Sequence, residues 1–323
     1  MVRSSLTTFL LGFLLTTAVA AAEAPLPERA RQGDPEAQYQ LGLACYRGTG
    51  VPRDRAAAAL WFQRAAEKGQ SAAAAKLGEM YGRGDGVTQD YAAAVKWLEK
   101  AADAGNPAGL NGLGLLYADG RGVPRDGARA IKLFRKAARH KDPRGDYNLA
   151  QMYADGNGVD RDMIESAKLF QKAADRGLPD AQSKLGSLYA VGLGVTRDMA
   201  TALRYIRMAA DVGFPEAENN LGLMYANGDG VAKDLAAAAA WYRKAAIQGW
   251  PAAQNNLSAA CSAGLGVPKN QAEGLAWIIL AADSGNRDYI LARDRMNRRV
   301  DSKILAEADV LVERLRREVA DNR

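Results

Sequence analysis

The side chains that could catalyse a reaction are few in this chain of 323 residues. It contains one histidine, His140, and two cysteines, Cys45 and Cys261. No Cys-x-x-Cys or His-Glu-x-x-His motif offers clustered ligands for zinc. The Ser-x-x-Lys, Ser-Asp-Asn and Lys-Thr-Gly motifs of lactam-recognising serine enzymes are also missing from the sequence. The residue types therefore predict a protein that is not an enzyme and that has no metal site and no cofactor.

A leucine that recurs every 36 residues is the most informative pattern in the chain. Each 36-residue unit has a Leu-containing segment, a Gly-x-Gly-Val turn, an Ala-rich segment and, in all but one unit, a closing Gly. Repetition of one short unit predicts an array of stacked repeats, because a single unit cannot bury its own apolar face. The repeated leucines are Leu41, Leu77, Leu113, Leu149, Leu185, Leu221 and Leu257.

Each unit is predicted to form two helices joined by a tight turn. Ala37, Leu41 and Cys45 recur at helical spacing in the first segment, as Ala58 and Phe62 do in the second. The turn glycines are suited to the left-handed backbone that ends a helix, and the following Asp or Asn is suited to capping the second helix. These capping residues are Asp54, Asp90, Asp126, Asp162, Asp198, Asp234 and Asn270.

Residues 33–285 resemble the Sel1-like repeat family, relatives of the tetratricopeptide repeats. The shared pattern is A-x3-LG-x2-Y-x2-G-x-GV-x2-D-x6-W-x3-AA-x2-G. This resemblance implies an all-α fold, a right-handed α/α superhelical solenoid of seven 36-residue helix-pair repeats that mediates protein–protein contacts. Residues 286–323, with an apolar stripe from Ile304 to Leu315, are predicted to form C-terminal capping helices.

The first 22 residues have the features of a secretory signal peptide. A short basic start is followed by an apolar run from Leu6 to Val19 and by small residues at Ala20 and Ala22. An uncleaved membrane anchor is the alternative, although the apolar run is shorter than the roughly 20 residues of a spanning helix. Residues 23–32 form an N-terminal lead-in. We therefore expect a periplasmic or secreted protein with no stable membrane span after removal of the signal.

Partner-binding residues are predicted on the first helix of each pair, which lines the concave side in solenoids of this kind. The two positions before the repeated leucine are expected to determine specificity, and their amide side chains could bond a peptide backbone. Alternatively, asparagine is only tolerated on a solvated helix face. The residues selected at these positions are Tyr39, Gln40, Lys76, Asn111, Tyr147, Asn148, Lys184, Asn219, Asn220, Asn255 and Asn256.

Phe214 and Trp250, together with Leu178, replace the helix-capping Asp or Asn found at the same position in earlier repeats. They are interpreted either as a partner-facing apolar edge or as packing against the next repeat. The basic stretch between Arg121 and Arg144 is interpreted either as a solvated helix face or as a patch for acidic partners or lipid headgroups.

The function predicted from these features is an exported scaffold or adaptor that binds a protein or peptide partner on the concave face of the solenoid, and no nucleic acid. A cell-wall or lactam hydrolase is one alternative, and a factor for envelope polysaccharide or secretion assembly is another. His140 is expected at the surface, at a helix end. Cys45 and Cys261 replace Tyr in the first and last repeats and are expected to be buried small hydrophobes.

Overall fold

The structure, a computed structural model, describes residues 25–322, and this part of the chain contains seventeen helices and no strand. Helix α1 (Leu26–Gln32) precedes the repeats. The first helices of the seven repeats are α2 (Pro35–Arg47), α4 (Ser71–Arg83), α6 (Pro107–Asp119), α8 (Pro143–Asp155), α10 (Pro179–Val191), α12 (Pro215–Asn227) and α14 (Pro251–Ala263). The second helices are α3 (Arg55–Glu67), α5 (Tyr91–Asp103), α7 (Gly127–Arg139), α9 (Met163–Asp175), α11 (Met199–Asp211), α13 (Leu235–Ile247) and α15 (Gln271–Ala282), and α16 (Arg287–Asn297) and α17 (Ser302–Asp321) follow them.

The helices confirm the predicted all-α solenoid of seven helix pairs. Within each unit a first helix packs against the second helix of its own repeat and, where another repeat precedes it, against the second helix of that repeat, as α4 does with α5 and α3. The described residues divide into two compact units. Unit 1 contains residues 25–148 and 157–159, and unit 2 contains residues 149–156 and 160–322.

Four positions of the first helix are buried in all seven repeats, namely its third, fourth, seventh and eighth residues. The seventh is the repeated leucine, and the eighth is glycine in five repeats. In α6 a Cβ atom added to Gly114 would lie 2.5 Å from the ring of Phe134 in α7. Glycine at the eighth position therefore allows the two helices of a repeat to approach closely, and a larger side chain of the second helix covers it, aromatic in three repeats and Leu98 or Ile206 in the other two.

The turn between the two helices of a repeat has one hydrogen-bond scheme throughout. In the first repeat Gly48, with φ of +76°, ends α2 and donates its backbone N–H to the carbonyl of Ala44 at 2.8 Å. The Asp54 carboxylate accepts the N–H of Ala57 at 2.9 Å, and the Asp54 N–H donates to the carbonyl of Cys45 at 2.9 Å. All seven predicted Asp and Asn residues cap their second helices, as the sequence analysis expected.

The two ends of the repeat array are covered by further helices. Helix α1 buries Ala30 beside Ala37 of α2. Helix α17 buries Val312, Leu315 and Val319 in the same cluster as Trp277 of α15, which confirms the predicted capping helix. No helix between residues 25 and 322 combines the length and apolar character that membrane crossing requires. The predicted signal peptide, residues 1–22, lies outside the described residues.

Candidate partner-binding face of the first helices

The exposed side of the first helices is formed by their second, sixth, ninth and thirteenth residues. At about 100° of rotation per residue these positions lie on one side of a helix, opposite the buried ones. They are exposed or half-buried in every repeat, with Asn148 as the exception. We call this side the first-helix face. It includes five of the predicted residues, all at the sixth position: Gln40, Lys76, Lys184, Asn220 and Asn256.

In unit 1 the first-helix face is rich in charge. The Nζ atom of Lys76 lies 2.9 Å from the Glu79 carboxylate, and the Arg83 guanidinium lies 2.9 Å from the other oxygen of the same carboxylate. The amide of Gln40 donates to Glu36 at 2.7 Å. Ion pairs between exposed side chains contribute less than about 1 kcal/mol each to stability, so these side chains remain available to a partner at little energetic cost.

Two of the predicted amides in unit 1 connect consecutive repeats. Asn111 and Asn148 are buried, and the Asn148 amide donates to the Oδ1 atom of Asn111 at 3.3 Å. The Asn111 amide in turn donates to the Asp142 carboxylate at 2.9 Å. Tyr39 is half-buried with its ring 5.8 Å from that of Phe62, and Tyr147 is also half-buried. Contact of these residues with a partner stays a prediction.

In unit 2 the same positions of the first helices carry different side chains. The Asn256 amide donates to Oδ1 of the buried Asn219 at 2.9 Å, and Lys184 donates to Glu216 at 3.2 Å. Asn220, Asn255 and Asn256 are half-buried. Polar links between repeats therefore occur in both units at the positions that the sequence analysis had selected for binding.

The ninth position of the first helix is a part of this face that the sequence analysis missed. Leu115 in unit 1 is 45% exposed there, and Leu223 in unit 2 is 39% exposed. Helical spacing would have indicated this position, because the ninth residue lies three positions after the sixth and therefore on the same side of the helix. The remaining residues at this position are Leu43, Glu79, Gln151, Ser187 and Ala259.

Phe214 and Trp250 each stand directly before a first helix, at its N-cap position. Neither side chain makes a capping hydrogen bond. Phe214 packs against the cluster that contains Ile206 and Leu221. Trp250 packs against a second cluster and also lines an open cleft of about 470 Å³ with Tyr289. Both rings are half-buried, so each contributes to packing within unit 2 and keeps part of its surface exposed.

The fourth residue of the first helix is a buried polar group in five of the seven repeats. The side-chain amides of Gln38, Gln182 and Gln254 each donate to the carbonyl oxygen eight residues earlier, at 3.1, 3.2 and 3.1 Å. For Gln182 and Gln254 that carbonyl belongs to the Ala-Ala pair of the preceding repeat. For Gln38 it belongs to Ala30 of α1. In α12 the residue is Glu218, which accepts a hydrogen bond from Gln248 at 2.8 Å. Burial raises the pKa of Glu218 above its ordinary value, against the lowering effects of Lys244 and Gln248.

Replacing Glu218 with glutamine is expected to stabilise the protein at pH 7 by about 1 kcal/mol, the usual net value of one hydrogen bond. A glutamine can donate to the carbonyl of Ala210, which an ionised carboxylate cannot do. Because the pKa of Glu218 is raised in the folded state, the wild-type residue favours folding below its unfolded pKa and loses that contribution as the pH rises through the folded pKa. The advantage of Glu218→Gln should therefore shrink in acid. Urea unfolding at pH 7 and pH 4 measures both effects.

The converse substitution is a matched control at the same position of the next repeat. Gln254→Glu removes the donor that bonds Ala246 and buries a carboxyl group in its place. It should destabilise the protein at pH 7 by about 2 kcal/mol and by less in acid. Equal stability of both variants and wild type at pH 7 would show that the fourth position does not join the repeats in this way.

The residues considered for chemistry are two buried thiols and one exposed imidazole. Cys45 and Cys261 are free and buried, as predicted, and burial raises the pKa of the Cys261 thiol to about 11. His140 is exposed at the end of α7, as predicted. Within residues 25–322 no three His, Cys, Asp or Glu side chains lie close enough together to hold a metal ion.

Comparison with known proteins identifies the class to which this arrangement belongs. The family model described as Sel1 repeat matches seven consecutive segments, residues 35–70, 71–106, 107–142, 143–178, 179–214, 215–250 and 251–286. The chain belongs to the Sel1 repeat family. Sel1 repeat proteins generally mediate protein–protein interactions, and their solenoid is typically a non-catalytic scaffold. No curated protein matches the chain.

Two solved structures illustrate the similarity. The chain is 35% identical to a Sel1 repeat protein from Oxalobacter formigenes, with a TM-score of 0.65, over 84% of this chain and 79% of that one. It is 27% identical to c5321, a protective antigen of uropathogenic Escherichia coli strains with an SLR fold, with a TM-score of 0.49, over 92% of this chain and 87% of that one.

Proposed function

We propose that this protein is an exported scaffold that binds a protein or peptide partner through the first-helix face. One observation carries the proposal. The third, seventh and eighth residues of the first helices are small side chains or the repeated leucine and are buried in every repeat. The sixth and ninth residues are accessible in nearly every repeat and vary in type among the repeats. A helix face with the same packing in each repeat and with side chains that vary among the repeats is suited to specific recognition.

The chemistry of the first-helix face favours a polypeptide as the partner. Leu115 in unit 1 and Leu223 in unit 2 offer exposed apolar surface. On the same helix face, Lys76 in unit 1 and Asn220 and Asn256 in unit 2 offer hydrogen-bond donors and acceptors. Apolar contacts surrounded by polar groups are typical of protein interfaces. Export is supported by the basic start, apolar run and small residues of the first 22 positions.

Photocrosslinking from single positions tests the proposal. A photoreactive amino acid is placed at Leu115 or Leu223 on first helices, or at Leu60 or Met208 on second helices, which are 61% and 41% exposed. The four sites are similarly accessible and apolar, so they differ mainly in the helix that holds them. After irradiation of the producing cells, discrete adducts of one defined mass are expected from Leu115 and Leu223.

The second-helix positions are the control. Leu60 and Met208 should give no discrete adduct, or adducts that do not share the mass found on the first helices. Discrete adducts from the second helices, with none from the first, would place the partner elsewhere and overturn the proposal. Fractionation of the same cells tests export, because recovery of the protein with the cytoplasmic markers would contradict it.

A further inference from the structure

Unit 1 contains a cleft on the side of the second helices, away from the first-helix face. It has a volume of about 510 Å³ and lies among α5, α6 and α7. Its apolar part is formed by Leu110, Leu113 and Leu133, of which the first two are only 2% and 3% exposed. Lys132 and Lys136 of α7 line it as well. Two lysine side chains beside an apolar surface distinguish this cleft from the open one beside Trp250, which no charged residue of the described chain lines.

Two departures from the repeat pattern occur together in the third repeat, and both residues line the cleft. Leu133 occupies the position where four repeats have tryptophan, namely Trp61, Trp97, Trp241 and Trp277. A leucine there leaves unfilled the space that an indole ring would occupy. Leu110 occupies the fourth position of its helix, where five repeats have a polar side chain, so this part of the cleft cannot hydrogen-bond and is apolar.

The basic side of the cleft is a helix without a single acidic residue. Helix α7 contains Arg129, Lys132, Arg135, Lys136 and Arg139. The Nη2 atom of Arg129 lies 3.8 Å from Oε1 of Glu99, and its guanidinium carbon lies 4.2 Å from the centre of the Tyr117 ring. Part of the Arg129 charge is therefore balanced. Among the residues that the structure describes, Lys132 and Lys136 have no carboxylate within ion-pair distance.

The equivalent lysines of the preceding repeat show what Lys132 and Lys136 lack. In α5 the Nζ atoms of Lys96 and Lys100 lie 5.7 and 5.5 Å from the centre of the Trp97 ring. An aromatic ring at this distance attracts a cation. Because Leu133 replaces the tryptophan, the two lysines of α7 have neither a ring nor a carboxylate of residues 25–322 within contact distance, and both line the cleft.

We propose that this cleft binds an acidic peptide segment that has one bulky apolar side chain between carboxylates. The apolar side chain packs on Leu110, Leu113 and Leu133, and the carboxylates pair with Lys132 and Lys136. Glu99 and Asp103 line the opposite wall, so the carboxylates of the peptide must lie on the side of Lys132 and Lys136. An anionic bilayer or a polyphosphate carries continuous negative charge, which would lie against both walls, and is therefore disfavoured. The cleft is separate from the first-helix face, so the two proposals can fail independently.

Fluorescence anisotropy of a labelled octapeptide, one leucine flanked on both sides by Asp and Glu, tests the cleft on the full-length protein. We expect saturable binding that weakens as salt is raised, because the pairing is electrostatic. The key variant is Leu133→Trp, which fills the cleft with the side chain that four other repeats have at this position and so should fold normally. It should weaken binding at least tenfold.

A matched pair of charge variants separates the cleft from general basicity. Lys132→Glu with Lys136→Glu should abolish binding, whereas Lys96→Glu with Lys100→Glu, the same change one repeat earlier, should alter the affinity less than threefold. Circular dichroism melting verifies that each variant folds. Absence of saturable binding, unchanged binding by Leu133→Trp, or binding of phosphatidylglycerol vesicles with no binding of the peptide would each overturn the proposal.

Discussion

Replacing Gly122 with alanine is expected to destabilise the protein by about 3 kcal/mol, although the change adds one methyl group at an exposed turn. Gly122 has φ of +71°, where an alanine costs about 1 kcal/mol. Its added Cβ would also lie 2.6 Å from the carbonyl oxygen of Tyr91 and 2.7 Å from the carbonyl carbon. These are backbone atoms at the start of α5, so relieving the clash requires the repeats to move apart. Overpacking of this kind costs about 1–3 kcal/mol, and its middle value of about 2 kcal/mol is added to the backbone cost.

Gly50 provides a control for the backbone term alone. It occupies the same position of the first repeat with φ of +73°, but a Cβ added there meets no atom within 4 Å, because no repeat precedes it. Gly50→Ala should therefore cost only about 1 kcal/mol. Urea unfolding followed by circular dichroism measures both variants. Equal losses of stability would mean that the turn of one repeat is not in close contact with the second helix of the repeat before it.

Replacing Trp277 with alanine is expected to destabilise the protein by about 4 kcal/mol. The Trp277 side chain is fully buried, in a cluster with Leu257, Val312 and Leu315. Removal of so large a buried side chain loses its transfer free energy and leaves a cavity, which together amount to roughly 3–5 kcal/mol. The loss should be concentrated in α14, α15 and α17, where hydrogen exchange should accelerate most.

Trp97 is the control for this prediction. It occupies the equivalent position of the second repeat, but it is only half-buried, and Lys96 and Lys100 lie over its ring. Trp97→Ala should cost about 2 kcal/mol, in proportion to its smaller buried area. If the two alanine variants had the same stability, α17 would not cover the last repeat in the way that the buried Trp277 indicates.

The fold was largely predictable because its determinants are local and recur. A glycine at the end of the first helix and an Asp such as Asp54 at the start of the second act within a few residues of chain, and the 36-residue spacing repeats them seven times. The apolar stripe of α17 was equally local. A pattern of this kind can be read without knowledge of distant contacts, and the structure confirms it.

The environment of the candidate site was harder to predict because it depends on neighbouring repeats. Asn111 and Asn219 were selected as amides that could bond a partner, yet both are buried and hydrogen-bond to the following repeat. Whether a side chain at this position is buried depends on how closely the next first helix packs. The cleft beside Leu133 has the same origin, because the missing indole becomes visible only when α6 is placed against α7.

The central claim, that a partner binds through the first-helix face, is tested most directly by the affinity of the crosslinked partner for two surface variants. Leu223→Asp changes the first-helix face, and Met208→Asp changes a second helix at a residue of nearly equal exposure, 41% against 39%. Titration calorimetry with the purified partner should show at least a tenfold weaker affinity for Leu223→Asp and less than a twofold change for Met208→Asp. The opposite ranking, with both variants folded, would contradict the claim.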